Sequence, residues 1–193
     1  LKGIERLAFG DGNWDISKFS DVARLSEDDF RTFVEMYIAY FNRAPDSEGL
    51  LFWGTALSTG TNLEKIATLF FDQPETRGLY PGVADLENPT AADLEAFASD
   101  VYQNVLGRPF DQRGLDFWVG VLGEGSVSLA NFMLEIIRGA KAPAEPGSDP
   151  DFVAQKAADV AYLSQKTDIG IYYSVVKGMS DVDDARDIMS GYD

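Results

Sequence analysis

An internal repeat constrains the fold of this chain more than any other feature of its sequence. The segment YIAYFNRAPDSEGLLFWGTALSTG at residues 37–60 aligns with YQNVLGRPFDQRGLDFWVGVLGEG at residues 102–125, an offset of 65 positions. With one inserted residue, the alignment continues through the apolar positions Leu63, Ile66 and Phe70, which align with Leu129, Phe132 and Ile136. Such a match indicates duplication of one structural unit, and each unit is predicted to consist of three helices.

Both copies contain the motif Arg-x-x-Asp-x-x-Gly-Leu-x-Phe-Trp. The residues that carry it are Arg43, Asp46, Gly49 and Trp53 in the first copy and Arg108, Asp111, Gly114 and Trp118 in the second. The aspartate stands at the N-cap of a predicted helix, where a carboxylate accepts backbone N–H bonds. The glycine stands inside the first turn, where glycine costs about 1 kcal/mol relative to alanine. Its presence in both copies predicts a close approach by the preceding helix or by the arginine side chain.

The arginine and the aromatic residues of the motif have structural interpretations as well. The arginine follows the preceding helix, so we expect it to hydrogen-bond the last carbonyls of that helix or to pair with the aspartate three residues on. The tryptophan is expected on the core stripe, and Phe52 and Phe117 are expected to cover a neighbouring unit. In the functional alternative, the arginine, aspartate and tryptophan line a ligand groove, for instance one in which a sugar stacks on the indole ring.

Apolar residues recur at three- and four-residue steps from Leu25 onward, which predicts helices over most of the chain. The first helix is predicted to begin after Ser26 and to end at residues 42–45, because a residue before proline avoids the α region. Residues 72–89 are predicted to be mostly loop, with a short helical turn around Glu75. Near the C-terminus, two further helical stretches precede a short last helix with Ser180 as its cap.

The predicted fold class is all-α: duplicated three-helix units packed as a helical bundle, with a short N-terminal extended arm and a C-terminal helical tail. The predicted organisation is an arm at 1–25, the first helical repeat at 26–80, the second at 90–141, a linker at 142–150 and a helical extension at 151–193. Because the chain begins at Leu1 rather than Met, we expect it to be a piece of a longer protein or a processed product.

Composition and charge exclude several classes of function. The chain has 16 Lys and Arg against 32 Asp and Glu, a formal net charge of −16, and it has no His and no Cys. This charge argues against a nucleic-acid partner and an anionic membrane surface. The missing residue types exclude Ser-His-Asp and Cys-His catalysis, disulfides and zinc-thiolate sites. The sequence contains no apolar run long enough for a membrane span.

Carboxylate chemistry and calcium binding are compatible with this composition. Asp11, Asn13 and Asp15 imitate the start of a calcium loop, although Ile16 replaces the expected glycine and Val22 stands where a bidentate glutamate belongs. A polar turn accounts for the same residues without a metal ion. A glycosidase would need two nearby carboxyl groups, and neither copy repeats a second acid beside its motif aspartate. We therefore expect no enzymatic activity.

The repeat resembles a bacterial domain family of unknown function over about residues 30–141. The resemblance is carried by Tyr37, Arg43, Asp46, Gly49, Leu50, Trp53 and the segment 72–75, and in the second copy by Tyr102, Arg108, Asp111, Gly114, Leu115 and Trp118. The second copy departs from the family at 138–141, where Arg-Gly-Ala-Lys replaces Asp-Gln-Pro-Glu. The stretch 162–167 resembles the helical tail that follows such repeats, and residues 1–16 resemble the segment that closes a glycine-rich calcium-repeat array.

The resemblance implies an extracellular helical module without enzymatic activity. Members of this family are commonly appended to secreted bacterial proteins, including S-layer-like proteins and calcium-binding repeats-in-toxin proteins exported by type I secretion. The leading hypothesis is therefore a non-catalytic interaction or assembly module of a secreted or surface protein, with a protein or a cell-surface polysaccharide as partner. The alternatives are a calcium- or carbohydrate-binding module and, less favoured, a carboxylate-based hydrolase.

Overall fold

The computed structural model describes residues 6–9, 12–15, 20–84 and 88–192, and beyond a short N-terminal hairpin these form helices joined by loops. The elements are β1 Arg6–Phe9, β2 Gly12–Asp15, α1 Glu27–Phe41, α2 Ser47–Ser58, α3 Leu63–Phe71, α4 Pro74–Leu79, α5 Pro81–Ala84, α6 Ala91–Leu106, α7 Gln112–Gly123, α8 Leu129–Lys141, α9 Pro150–Ile171 and α10 Val182–Ser190. A 3₁₀ turn at Val22–Arg24 precedes α1, and a π-helical turn at Tyr172–Val176 continues α9. The predicted all-α class is confirmed.

The hairpin accounts for the predicted extended arm. β1 and β2 pair in an antiparallel register in which Arg6 lies opposite Asp15 and Phe9 lies opposite Gly12. Residues 10–11, and Asp11 with them, lie outside the described residues. The 3₁₀ turn that follows was not predicted from the sequence.

Helix boundaries follow local capping chemistry. Ser26, Asn62, Thr90 and Ser128 each accept a hydrogen bond from the backbone three residues on. At their C-terminal ends, α1 and α6 are followed by residues in the left-handed region, Asn42 with φ 44° and Gly107 with φ 66°. These two residues are 65 positions apart, so both copies end their first helix in the same way. α1 ends at Phe41, directly before the 42–45 segment that was predicted to end it.

The two copies build one core between them. At the offset of 65 positions, α2 aligns with α7 over its whole length. α1 packs on α6, α3 packs on α8, and α1 also packs on α8, so equivalent helices of the two copies meet. The Phe70 ring of α3 packs against Tyr37, Tyr40 and Phe41 of α1. The Tyr40 hydroxyl donates across the core to the Ala130 carbonyl of the second copy.

Two segments differ from their predictions. Residues 74–84, predicted to be mostly loop, form α4 and α5, because Pro74 and Pro81 occupy the first position of each helix, where a proline needs no N–H partner. The two helical stretches expected after the linker form one helix, α9. The last helix is capped by Asp181 instead of Ser180, since the Asp181 carboxylate accepts from two backbone N–H groups.

The C-terminal segment lies across both copies. α9 packs against α1, α6 and α8, and α10 packs back on α9. One face of α9 is polar and buried: Asp159, Lys166 and Thr167 have almost no exposed surface. Asp159 accepts from the motif's Arg108, Lys166 donates to the Asn42 side chain, and Thr167 donates to the Leu163 carbonyl of its own helix.

Candidate functional site

The motif aspartates cap α2 and α7, as the sequence predicts. Asp46 Oδ1 accepts a hydrogen bond from the Gly49 backbone N–H at 2.6 Å. Asp111 Oδ1 accepts the equivalent bond from Gly114 at 2.8 Å. Each carboxylate satisfies a backbone donor that the helix itself leaves unpaired.

The first motif arginine is buried in a network of carboxylates. Arg43 is 5% exposed, and its Nε and Nη2 donate to the Glu75 carboxylate at 2.8 and 2.9 Å. Its Nη1 donates to the Ala44 carbonyl and to Asp46, so the predicted pairing with the aspartate is confirmed. Glu75 of α4, which the sequence did not identify as a partner, also accepts from Arg186 of α10.

The second motif arginine finds its carboxylate on a different element. Arg108 Nε and Nη2 donate to the two carboxylate oxygens of Asp159 in α9, both at 2.7 Å, and Nη2 also donates to the Tyr102 hydroxyl. The predicted pairing with Asp111 is wrong, because this guanidinium turns to α9 instead. The bond to Asp159 raises the pKa of Arg108 above its ordinary value, so the guanidinium stays charged.

The two motif glycines have different surroundings. A Cβ on Gly49 would lie 2.6 Å from the Tyr37 hydroxyl oxygen, so the predicted close approach is confirmed there. A Cβ on Gly114 would meet only ordinary contacts, 3.4 Å from Phe110. The prediction is wrong for Gly114, because the Tyr102 ring stacks on Phe110 at 3.6 Å between centroids.

The motif tryptophans are half-buried and pack on the core. Trp53 meets the Phe70 ring of α3 edge-on at 5.3 Å, and Trp118 meets the Phe132 ring of α8 in the same way at 5.1 Å. The predicted core role is confirmed for both. The two partners do not align with each other, because they lie one helical turn apart in the repeat.

The neighbouring phenylalanines lie on the surface. Phe52 is 67% exposed and Phe117 is 60% exposed. Each contacts the edge of the tryptophan that follows it. The prediction that they cover a neighbouring unit is wrong.

An apolar cleft lies apart from the charged residues of the motif but includes its Leu50. It has a volume of about 680 Å³ and opens between the 3₁₀ turn, the start of α1, α2 and the π-helical turn. Its apolar lining includes Val22, Leu25, Phe30, Leu50, Leu51 and Val175. The hydroxyls of Ser47 and Ser174 at its edge bond backbone carbonyls of Gly178 and Gly170. The cleft therefore favours apolar side chains over a charged ligand.

The calcium candidates are only partly described. Asp11 lies outside the described residues, and Asn13 and Asp15 lie on β2, opposite Ala8 and Arg6. Within the described part of the chain, no group of three or more carboxylates is placed to hold a metal ion. Over the same residues, none of the helices combines the length and apolar character that a membrane crossing needs.

The second copy matches a known family model. Residues 87–142 match the family described as Domain of unknown function (DUF4214). This range contains α6, α7 and α8 with the second motif. No curated protein and no solved structure matches the chain.

Proposed function

We propose that the chain is a non-catalytic interaction or assembly module of a secreted or surface-attached bacterial protein. The proposal rests on how the repeated motif is used. All four charged motif side chains, Arg43, Asp46, Arg108 and Asp111, are engaged in caps and ion pairs that hold helices together. A motif that serves packing in both copies supports a scaffold role.

The surface supports binding. Each copy exposes a phenylalanine at the same position, Phe52 and Phe117, and the apolar cleft adds a concave surface beside α2. Exposed apolar area at matched sites is typical of contact surfaces. The exterior location is supported by the family resemblance, which also implies type I export. The excess of carboxylates supports it too, because an acidic surface suits a salty, calcium-containing exterior.

The module is tested in its parent protein by deletion. Removal of residues 26–192 takes away both copies together with α9 and α10, which pack on them. We expect surface retention or self-association of the parent to fall while synthesis continues. The control that retains the module is the double variant Asp46→Asn and Asp111→Asn. Each asparagine keeps one side-chain oxygen, which can still accept the capping hydrogen bond. If secretion, retention and self-association are all unchanged by the deletion, the proposed function is wrong.

Carbohydrate binding is the second candidate, and the exposed Phe52 and Phe117 rings, each packed on the half-buried tryptophan that follows it, favour it, because aromatic faces stack on sugars. Calorimetric titration of the chain with a glycan panel tests this candidate, and a calcium titration tests a metal requirement. Heat that disappears in the Phe117→Ser variant would support a sugar site. Flat titrations at millimolar ligand would eliminate it.

A further inference from the structure

The outer faces of α2 and α7 match in their exposed aromatic residue and carry opposite charges at one matched position. The α7 face also carries the exposed Asp116, whose carboxylate accepts from Gln112. Phe52 and Phe117 are the exposed aromatic residues of the two faces, at 67% and 60% exposure. One turn before each lies an exposed charged residue, Glu48 on α2 and Arg113 on α7. Because these residues are four positions before the phenylalanine, each charge shares a face with its aromatic ring.

We propose that the Phe52 face of one molecule docks on the Phe117 face of a second copy of this chain. This inference deepens the proposed function, since it names the partner of the assembly module. A parallel pairing of α2 with α7 places Phe52 beside Phe117 and Glu48 beside Arg113. In the same parallel register, a contact between two α2 faces would instead bring two glutamates together, and a contact between two α7 faces would bring two arginines together.

The fold places the two faces on different parts of the molecule. α2 packs on α3, and α3 packs on α8. α7 contacts α8 through the Trp118 and Phe132 rings. This succession of contacts leaves α2 and α7 at its two ends. A contact between unlike faces therefore leaves one unused face on each molecule of a dimer, and further copies add to form a closed ring or an open array.

The contact is small, so it is weak between free chains. Two twelve-residue helices bury less than a standard interface. We expect a dissociation constant on the order of 100 µM. Many parent molecules held at one surface would raise the effective concentration above this value.

The first test uses single substitutions and their mixture in the 193-residue chain, measured by sedimentation velocity over a concentration series. Phe52→Ser and Phe117→Ser each remove one face, so each variant alone should associate at least about tenfold more weakly than the unaltered chain. An equimolar mixture should form dimers and stop there, because each variant retains the face that the other lacks. Phe152→Ser is the control, since Phe152 is 52% exposed on α9.

The second test reverses the charges. Glu48→Arg and Arg113→Glu should each weaken association, and the double variant should recover it. Melting temperatures of all variants check that the fold is kept. A chain that stays monomeric at about 1 mM, ten times the expected constant, overturns the inference, as does a mixture of phenylalanine variants that fails to dimerise. Loss of surface retention on deletion of the module would still support the proposed function with a different partner.

Discussion

The two copies of the repeat share a motif but anchor it differently. In the first copy Arg43 is paired with Glu75, which lies in the helix that follows the repeat's own α3. In the second copy the aligned position is Lys141, a charge reversal, and Arg108 pairs with Asp159 of the C-terminal helix. The second copy therefore depends on a segment outside the duplication. A duplicated motif fixes the need for a carboxylate without fixing which element supplies it.

The tyrosines show the same divergence. Tyr37 is 2% exposed and its hydroxyl reaches the backbone of Gly49, whereas Tyr102 is partly exposed and stacks on Phe110. Burial raises the pKa of Tyr37 above its ordinary range. The motif of the first copy is therefore buried (a closed copy), whereas that of the second copy is partly exposed (an open copy) and contacts α9.

The largest expected effect tests the dependence of the second copy on α9. A Cβ on Gly107 would overlap the Tyr162 ring, and φ is 66° there. We expect Gly107→Ala to lower the free energy of unfolding by about 3–5 kcal/mol, measured by urea denaturation. Gly125→Ala is the control, because Gly125 has φ 70° and no neighbour within 4 Å. Equal losses in the two variants would show that the Tyr162 ring of α9 does not contribute to the cost at position 107.

The two carboxylate partners are the next comparison. Glu75→Ala leaves Arg43 buried with Asp46 as its remaining carboxylate, and we expect a loss of about 3 kcal/mol. Asp159→Ala should cost about 1–2 kcal/mol, because the Arg108 side chain is 27% exposed and water replaces part of the bond. Thermal denaturation of both variants shows which of them loses more stability. A larger loss for Asp159→Ala would reverse the contrast between a closed and an open copy.

Lys141, which aligns with Glu75, has a pH-dependent role. It donates to Glu35 at 3.0 Å, and burial raises the pKa of the Glu35 carboxyl. In Lys141→Ala we expect a loss of about 2 kcal/mol at pH 7, because ionised Glu35 is left buried without its cation. A raised folded pKa makes the charged carboxylate oppose folding at high pH, so this loss should fade as the pH falls through that pKa.

The matched control for this effect is Glu35→Gln in the Lys141→Ala background. It removes the titrating group, so the pH dependence of the loss should disappear in denaturant titrations between pH 4 and pH 7. A loss that stays constant over that range, with Glu35 present, would contradict the assignment.

The glycine pair sharpens the comparison inside the motif. Gly49→Ala forces the buried Tyr37 hydroxyl to move, and we expect a loss of about 1–2 kcal/mol. Gly114→Ala meets ordinary contacts and gains helix propensity, so it should stabilise by up to about 1 kcal/mol. The two melting temperatures should therefore shift in opposite directions, and a shift in the same direction would refute the assigned contacts.

The caps are the smallest expected contrast. Asp46→Ala and Asp111→Ala should each lose a cap, at a cost of about 1 kcal/mol. Asp46→Ala should lose somewhat more, because Asp46 also accepts a hydrogen bond from the buried Arg43, and chemical denaturation measures both losses. Unchanged stability in both variants is the result that would falsify the capping role.

The predictable part of the candidate site is local. Asp46, Asp111 and Ser26 act on backbone atoms within three residues, so spacing alone identified them. The Glu75 and Asp159 partners could not be found in this way, because they lie 32 and 51 residues from their arginines. The exposure of Phe52 and Phe117 was also missed, because helical periodicity assigns a face without saying whether another element covers it.

By itself, the sequence determined the duplication, the helical class, the caps and the absence of His and Cys chemistry, since each depends on residue type and short spacing. The tertiary structure decided which carboxylate meets each motif arginine, which glycine is crowded and which aromatic residues reach the surface. These features depend on contacts between segments far apart in the chain, and two copies with one motif make different contacts because the arginine of one pairs with α9 and the arginine of the other with α4.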